Sequence, residues 1–232
     1  MDNSIIKIIG EIGEEGEEVV GNDDPLENTW VLWEHQKNNN LNYEQNTCEL
    51  GNFNCINDFW RYYNNYPYPS VIFSDGVEKP IITNPDREVA SISLFKQGIL
   101  PKWEDLKNKD GGEIAIRKFK SLEELDSLWE TISMLCIGEQ FEMSDIINGI
   151  RVVDSSIPNR KTLYRIELWF SDKTHKDTIE NSFRNILNLE PFVQIHHKDH
   201  SCAVESAPTK YQHKYQDRRG NGGGRRNGNR RY

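Results

Sequence analysis

Trp103 and Glu104 stand side by side in the run Gly98-Ile-Leu-Pro-Lys-Trp103-Glu104-Asp105. An indole face followed at once by a carboxylate suits a flat, cationic, hydrogen-bond-donating ligand such as an alkylated guanine. The ring attracts the positive charge and the carboxylate accepts from ligand N–H groups. The plainer use of a Trp flanked by Pro and Gly is to anchor its loop. Glu104 and Asp105 are also the residue types of an acid–base pair. Adjacent residues in an extended loop point apart, however, and no phosphate loop, metal–carboxylate cluster or nucleophile motif accompanies them, so binding without catalysis or cofactor is expected. His196, His197, His200 and Cys202 are metal-ligand types, but their spacing fits no zinc pattern. They read as a polar strand end with exposed histidines, and no metal is expected.

Elements must position these residues, and three amphipathic helices are legible. One starts near Asn54, a good N-cap, and lines up Ile56, Phe59, Trp60 and Tyr63. The next opens with the capping box Ser121-Leu-Glu-Glu124, carries Leu125, Leu128, Trp129, Ile132 and Leu135, and stops at Gly138. The last follows Thr174 with Ile179, Phe183, Ile186 and Leu187 on one face. Strands are expected over 29–35, 48–53, 91–95, 113–119, 150–153, 163–170 and 192–197. In the sixth, Leu163, Arg165, Glu167 and Trp169 share one face, and Tyr164, Ile166, Leu168 and Phe170 the other. The pattern implies an α+β fold: a mainly antiparallel sheet with helices on one side, the other side free to hold a ligand. Trp30, Trp33 and Trp129 are assigned to the core.

Charge sorts the chain into three parts. Residues 1–27 hold nine acids against Lys7, whereas residues 211–232 hold seven bases against Asp217, within a net charge of −9. The expected organisation is an acidic disordered arm over 1–23, one folded domain over 24–210 and an Arg/Gly-rich disordered tail over 211–232. The domain carries a Pro-punctuated insert at 66–90. Bulk charge excludes wrapping of duplex nucleic acid. The tail reads either as a non-specific RNA-binding arm or as a solubilising extension. No apolar run approaches the roughly 20 residues that cross a bilayer, and the start lacks a secretory signal, so an intracellular, cytoplasmic protein with reduced Cys48, Cys55, Cys136 and Cys202 is expected. A monomer is expected as well. Arg160 and Lys161 end an irregular connection at 154–161 and are candidate phosphate contacts, or plain solvated charge.

A set of motifs carries a resemblance. Asp24-Pro-Leu-Glu-Asn-Thr-Trp30-Val-Leu-Trp33, Asp58-Phe-Trp60-Arg-Tyr-Tyr-Asn64, Ser93-Leu-Phe-Lys-Gln-Gly-Ile99, Pro101-Lys-Trp103-Glu104-Asp105, Asn108-Lys-Asp-Gly-Gly112, Trp129, Gly138-Glu139 and Trp169 occur in order. Together they resemble the cap-binding translation initiation factor 4E family over about residues 24–205. Tyr43-Glu-Gln-Asn46, Trp129-Glu130, Ile137-Gly-Glu-Gln-Phe141 and Leu187-Asn-Leu look most like its second class, the 4E homologous protein, which often represses translation. The resemblance implies a curved sheet with three helices on its convex face and a pocket on its concave side for the 7-methylguanosine cap of messenger RNA.

By the same resemblance Tyr43 and Trp103 sandwich the methylated base, Glu104 accepts from its N–H groups, Trp169 meets the added methyl, and Arg165 holds the triphosphate with help from Arg160 or Lys161. Trp60, with Pro25, Ile56 and Met134, matches the surface that receives a scaffold or repressor carrying a Tyr-x-x-x-x-Leu-hydrophobic motif. The plainer alternative for Trp60 is a core residue between helix and sheet. The chain departs from the first-class pattern at Tyr43 (Trp there), at Glu113 (usually basic and phosphate-facing), within 154–156 (usually a phosphate-binding Arg), and at Glu130 (usually apolar and partner-facing).

Overall fold

The computed structural model describes residues 24–37, 40–73, 88–156 and 163–206. The expected arm, the tail, Arg160, Lys161 and much of the 66–90 insert lie outside the described residues.

Seven strands form one sheet: β1 (Pro25–Gln36), β2 (Thr47–Cys55), β3 (Val89–Lys96), β4 (Gly112–Ile116), β5 (Ile147–Asp154), β6 (Tyr164–Phe170) and β7 (Ile195–Asp199). Their order is β2-β1-β3-β5-β6-β4-β7, every neighbouring pair is antiparallel, and the sheet is curved and unclosed. Two register shifts in the long β1–β2 pair, between Pro25 and Trp30 and between Leu32 and Trp33, where Leu50 is the extra residue of β2, supply local bending at that end.

The alternation read in β6 is observed. Tyr164, Ile166, Leu168 and Phe170 enter the main core, while Trp169 joins a smaller apolar cluster with Phe95 and Ile99. Three long helices supply the other half of the main core: α2 (Ile56–Asn65), α4 (Leu122–Ile137) and α5 (Lys176–Ile186). Phe59, Leu125, Trp129, Ile132, Cys136, Ile137, Ile179 and Phe183 are their buried residues in it. Burying such side chains at about 1.5–3 kcal/mol each is what holds helices to sheet. Short helical turns complete the fold at α1 (Tyr43–Asn46), α3 (Pro69–Ile72) and α6 (His200–Ser206).

Several boundaries differ from expectation. Asn54 stays in β2 and Cys55, without a side-chain cap bond, is the N-cap of α2. Ser121 Oγ does accept from Glu124 N at 3.2 Å, but the Glu124 carboxylate turns to Lys120 N, so the capping box is half made. The fourth strand ends at Ile116, three residues early. The last strand slides to Ile195–Asp199 and leaves Phe192 81% exposed, because pairing with β4 fixes its register. His200 begins a helix and is fully buried, not part of an exposed strand end. Ile186 is exposed at the end of α5, since the stripe there outruns the sheet beneath it. Trp33 is the correction that matters most for function. It is half-buried and packs with Phe95 and Trp169 on the face away from the helices, not in the main core.

Candidate functional site

Cross-strand pairing arranges the uncovered face in rows. One row runs Val31, Phe95, Gly149, Trp169, Glu113, Lys198; the next runs Trp33, Ser93, Arg151, Glu167, Ala115, His196. Gly149 leaves room in the first row: a Cβ there would stand 2.6 Å from the Phe95 ring and 2.4 Å from Leu94 O. The space lets Phe95 meet Trp169 edge-on at 5.4 Å.

The Trp103–Glu104 loop lies over this face and is tied down by amides. Asn108, fully buried, donates its side-chain N–H groups to Leu100 O (2.8 Å) and Lys102 O (3.0 Å), and its Oδ1 accepts from Asn148 Nδ2 (2.8 Å). Both Asp105 carboxylate oxygens are spent inside the loop, on Leu100 N (3.1 Å) and Lys107 N (2.9 Å). Asp105 is therefore a turn-former and not an acid–base partner of Glu104. Trp103 packs half-buried against the Phe95–Trp169 cluster, with its Nε1 buried and, among the described residues, unbonded. Glu104 is exposed, and among the described residues no hydrogen bond or ion pair reaches its carboxylate.

Tyr43 opens α1, a single turn made possible by an Asn42–Gln45 capping box. Its hydroxyl donates to Pro101 O at 2.5 Å, two residues before Trp103, and Lys102 Nζ bonds Glu44 Oε1 at 2.5 Å. The two aromatic candidates thus belong to segments tied together by two contacts. One face of Tyr43 stacks on His35 at 4.3 Å. Burial, and then the nearby Arg151 charge, push the His35 imidazole down to about 4, so it is neutral near pH 7.

Charges alternate beyond the rings. Arg165 bonds Glu167 through Nε and Ser155 Oγ at 2.7 Å, and Glu167 Oε2 accepts from Trp169 Nε1 at 2.9 Å. Trp169 has no exposed surface, so a ligand reaches it only after neighbours move. Arg151 donates to Ser91 Oγ at 3.0 Å. Burial alone would lower its pKa, yet Tyr43, Glu167 and Glu113 together push it up. Glu113 is likewise buried, which would raise its carboxyl, but hydrogen bonding and charge from His200, with Lys198 and Arg165, bring it below the usual range. His200 Nδ1 lies 2.8 Å from Asn108 O and must carry a proton, because a carbonyl only accepts; its Nε2 is 3.3 Å from Glu113 Oε2. Glu113, at a position that the resemblance makes usually basic and phosphate-facing, is a buried partner of His200.

Sequence reasoning quoted Asn108 only as part of a motif, missed Asn148, Arg151 and Lys198, and gave His200 a different setting. The one local signal was the alternation of His196 and Lys198 on one strand face; their partners come from distant segments. His197 turns to Glu180 on α5, at 2.6 Å, away from His200. Among the described residues no three metal-ligating side chains converge.

On the opposite side Ile56 N donates to Asp24 O at 3.1 Å, which seats exposed Pro25 beside Ile56, itself 40% exposed. Trp60 is half-buried and meets Phe59 (5.0 Å) and Tyr63 (5.6 Å) edge-on; Met134 on α4 is half-buried. Tyr63 OH donates to Glu130 Oε2 at 3.4 Å, and burial, then that carboxylate, push the phenol up.

A curved open sheet, backed by helices on one face and carrying a tethered Trp–Glu loop over the other, defines a binding protein for a planar, positively charged group. The chain belongs to the eukaryotic initiation factor 4E family, whose profile it matches over residues 25–215. It is 31% identical to eukaryotic translation initiation factor 4E of Xenopus laevis over 207 residues, 84% of this chain and 88% of that protein. It is 32% identical to factor 4E1 of Drosophila melanogaster over 169 residues, 71% of this chain but 58% of that longer protein. Among solved structures, C. elegans eIF4E-3 with the 4E-binding protein Mextli and cap analog matches at TM-score 0.62 and 27% identity, covering 78% of this chain and 95% of that one. Ascaris suum eIF4E-3 with m7G cap matches at TM-score 0.62 and 26% identity, covering 77% and 92%.

Proposed function

We propose that this protein binds the 7-methylguanosine cap of messenger RNA and acts in translation initiation or its regulation, without catalysis, as a cytoplasmic monomer. The observation that carries the reading is the exposed Glu104 carboxylate, without a partner among the described residues, next to an indole held in place by Asn108. Methylation gives guanine a positive charge, so its ring gains a cation–π term on Trp103 of up to about 2 kcal/mol when desolvated. Glu104 accepts from the guanine N1–H and amino group, donors that adenine does not present in that pattern. Tyr43 supplies the second ring, Trp169 the wall under the methyl, and Arg165, with Arg160 or Lys161, the triphosphate contacts.

The surface around Trp60, Pro25, Ile56 and Met134 receives a helical segment carrying a Tyr-x-x-x-x-Leu-hydrophobic motif, and membership of relatives in complexes with 4E-binding proteins supports this role. Delivery of a capped message to a scaffold and its sequestration by a repressor of the 4E homologous protein type use the same two surfaces. Glu130, charged beside Tyr63, favours a partner that differs from those matched to an apolar residue at this position.

Retention on 7-methyl-GTP resin tests the reading, with unmethylated GTP as competitor. The intact chain and a chain ending before Arg218 are expected to bind and to resist GTP, whereas Glu104→Ala elutes early. Equal competition by GTP, or full retention of Glu104→Ala, sinks the cap reading; loss on tail removal alone would favour a non-specific RNA-binding protein acting through its Arg/Gly tail.

A further inference from the structure

The Trp103 ring already carries a cation. Lys198 Nζ lies 3.4 Å from its centroid, so an ammonium of this chain sits on an aromatic surface that a methylated guanine needs. Lys198 comes from the edge strand β7, where register sets it beside Glu113 and two strands from Trp169. Its surroundings are balanced. Burial disfavours the ammonium most, Glu113 and Glu167 attract it, and Arg165 and Arg151 repel it; its pKa ends below the ordinary Lys value. Carboxylates and guanidinium groups oppose one another there, and the indole face adds a cation–π contact to what holds the ammonium. A Lys head on a four-carbon stem can also withdraw to solvent, unlike a buried arginine fork.

We propose that Lys198 is an intramolecular competitor at the Trp103 site: a resident cation that the methylated base must displace, and therefore a residue that sets the affinity of this protein for its ligand. The inference rests on the cap reading above. Two positive groups on one indole oppose each other in either arrangement. On the same face they exclude one another, and on opposite faces they repel while drawing on one ring quadrupole. The opposing role, a lysine that grips the ligand's phosphates, predicts the opposite sign on removal.

Calorimetric titration of 7-methyl-GTP into the full chain, Lys198→Ala and Lys198→Arg separates the two. Lys198→Ala is expected to bind about 3- to 10-fold more tightly, a tenfold gain being about 1.4 kcal/mol, while Lys198→Arg, which keeps a cation over the ring, stays close to the parent. Unchanged or weaker binding by Lys198→Ala overturns the proposal. A ligand-free readout is the rate of Lys198 acetylation, followed by mass spectrometry, in the parent and in Trp103→Ala. Faster labelling in Trp103→Ala is expected, and equal labelling overturns the contact on which the inference stands. If the parent binds 7-methyl-GTP but Lys198→Ala gains nothing, only the competitor role falls. If none of the three proteins binds, the cap reading falls and takes the competitor with it.

Discussion

The two faces of the sheet are built from the same strands and differ in nearly everything else. The helix-covered face is an apolar layer in which Ile114, Ile132, Ile150, Ile166, Phe183 and their neighbours are fully buried. The uncovered face alternates aromatic rings with buried charges: Phe95 and Trp169 beside Glu113, Arg151, Glu167 and His200. Stability resides where burial is non-directional and sums over many residues. Recognition resides where each polar atom has a named partner and a few are left open. The difference also explains why the uncovered face tolerates departures from the family pattern. Glu113 and His200 stand together, so the buried anion in that row is compensated internally.

The contrast can be broken by substitution. The largest expected effect is Phe183→Ala on the covered face, a loss of about 3–5 kcal/mol in urea unfolding, as for other large buried rings. A cost below that of the uncovered-face variants would remove the distinction. Asn108→Ala is next. It strips donors from Leu100 O and Lys102 O, so a loss of about 1–3 kcal/mol is expected, with faster amide exchange concentrated in residues 97–111 and weaker 7-methyl-GTP retention. Uniform exchange across the chain would show that Asn108 supports the whole fold and not its loop. Gly149→Ala pushes a methyl into Phe95 and Leu94 O. About 1–3 kcal/mol is expected, together with a changed near-ultraviolet spectrum from the displaced Phe95–Trp169 pair. An unaltered spectrum would mean that the pair does not depend on this glycine.

The smallest effect is in pH. His35 titrates near 4 when folded and near 6.5 when unfolded, so between those values the unfolded chain binds the extra proton. His35's contribution is complete above about pH 6.5 and is lost as pH falls toward 4. Melting temperature is therefore expected to fall modestly over that window, and to fall less in His35→Gln. Identical pH profiles for the two proteins would remove His35 from the account.

Periodicity and adjacency along the chain laid out the layers and half of the candidate site. Alternation along β6 separated Trp169 from Phe170, helical stripes placed Phe59, Trp129 and Phe183 in the core, and adjacency put Glu104 beside Trp103; each follows from a period of two, a period near 3.6, or a covalent bond. Trp33 shows where that reasoning stops. Apolar residues on both faces of β1 look alike in sequence, and only the helices decide which face is covered. Tertiary structure alone brought Lys198 to Trp103, His200 to Glu113 and Asn148 to Asn108, because such contacts join segments tens of residues apart. No local pattern records which strand becomes whose neighbour; strand order and register do.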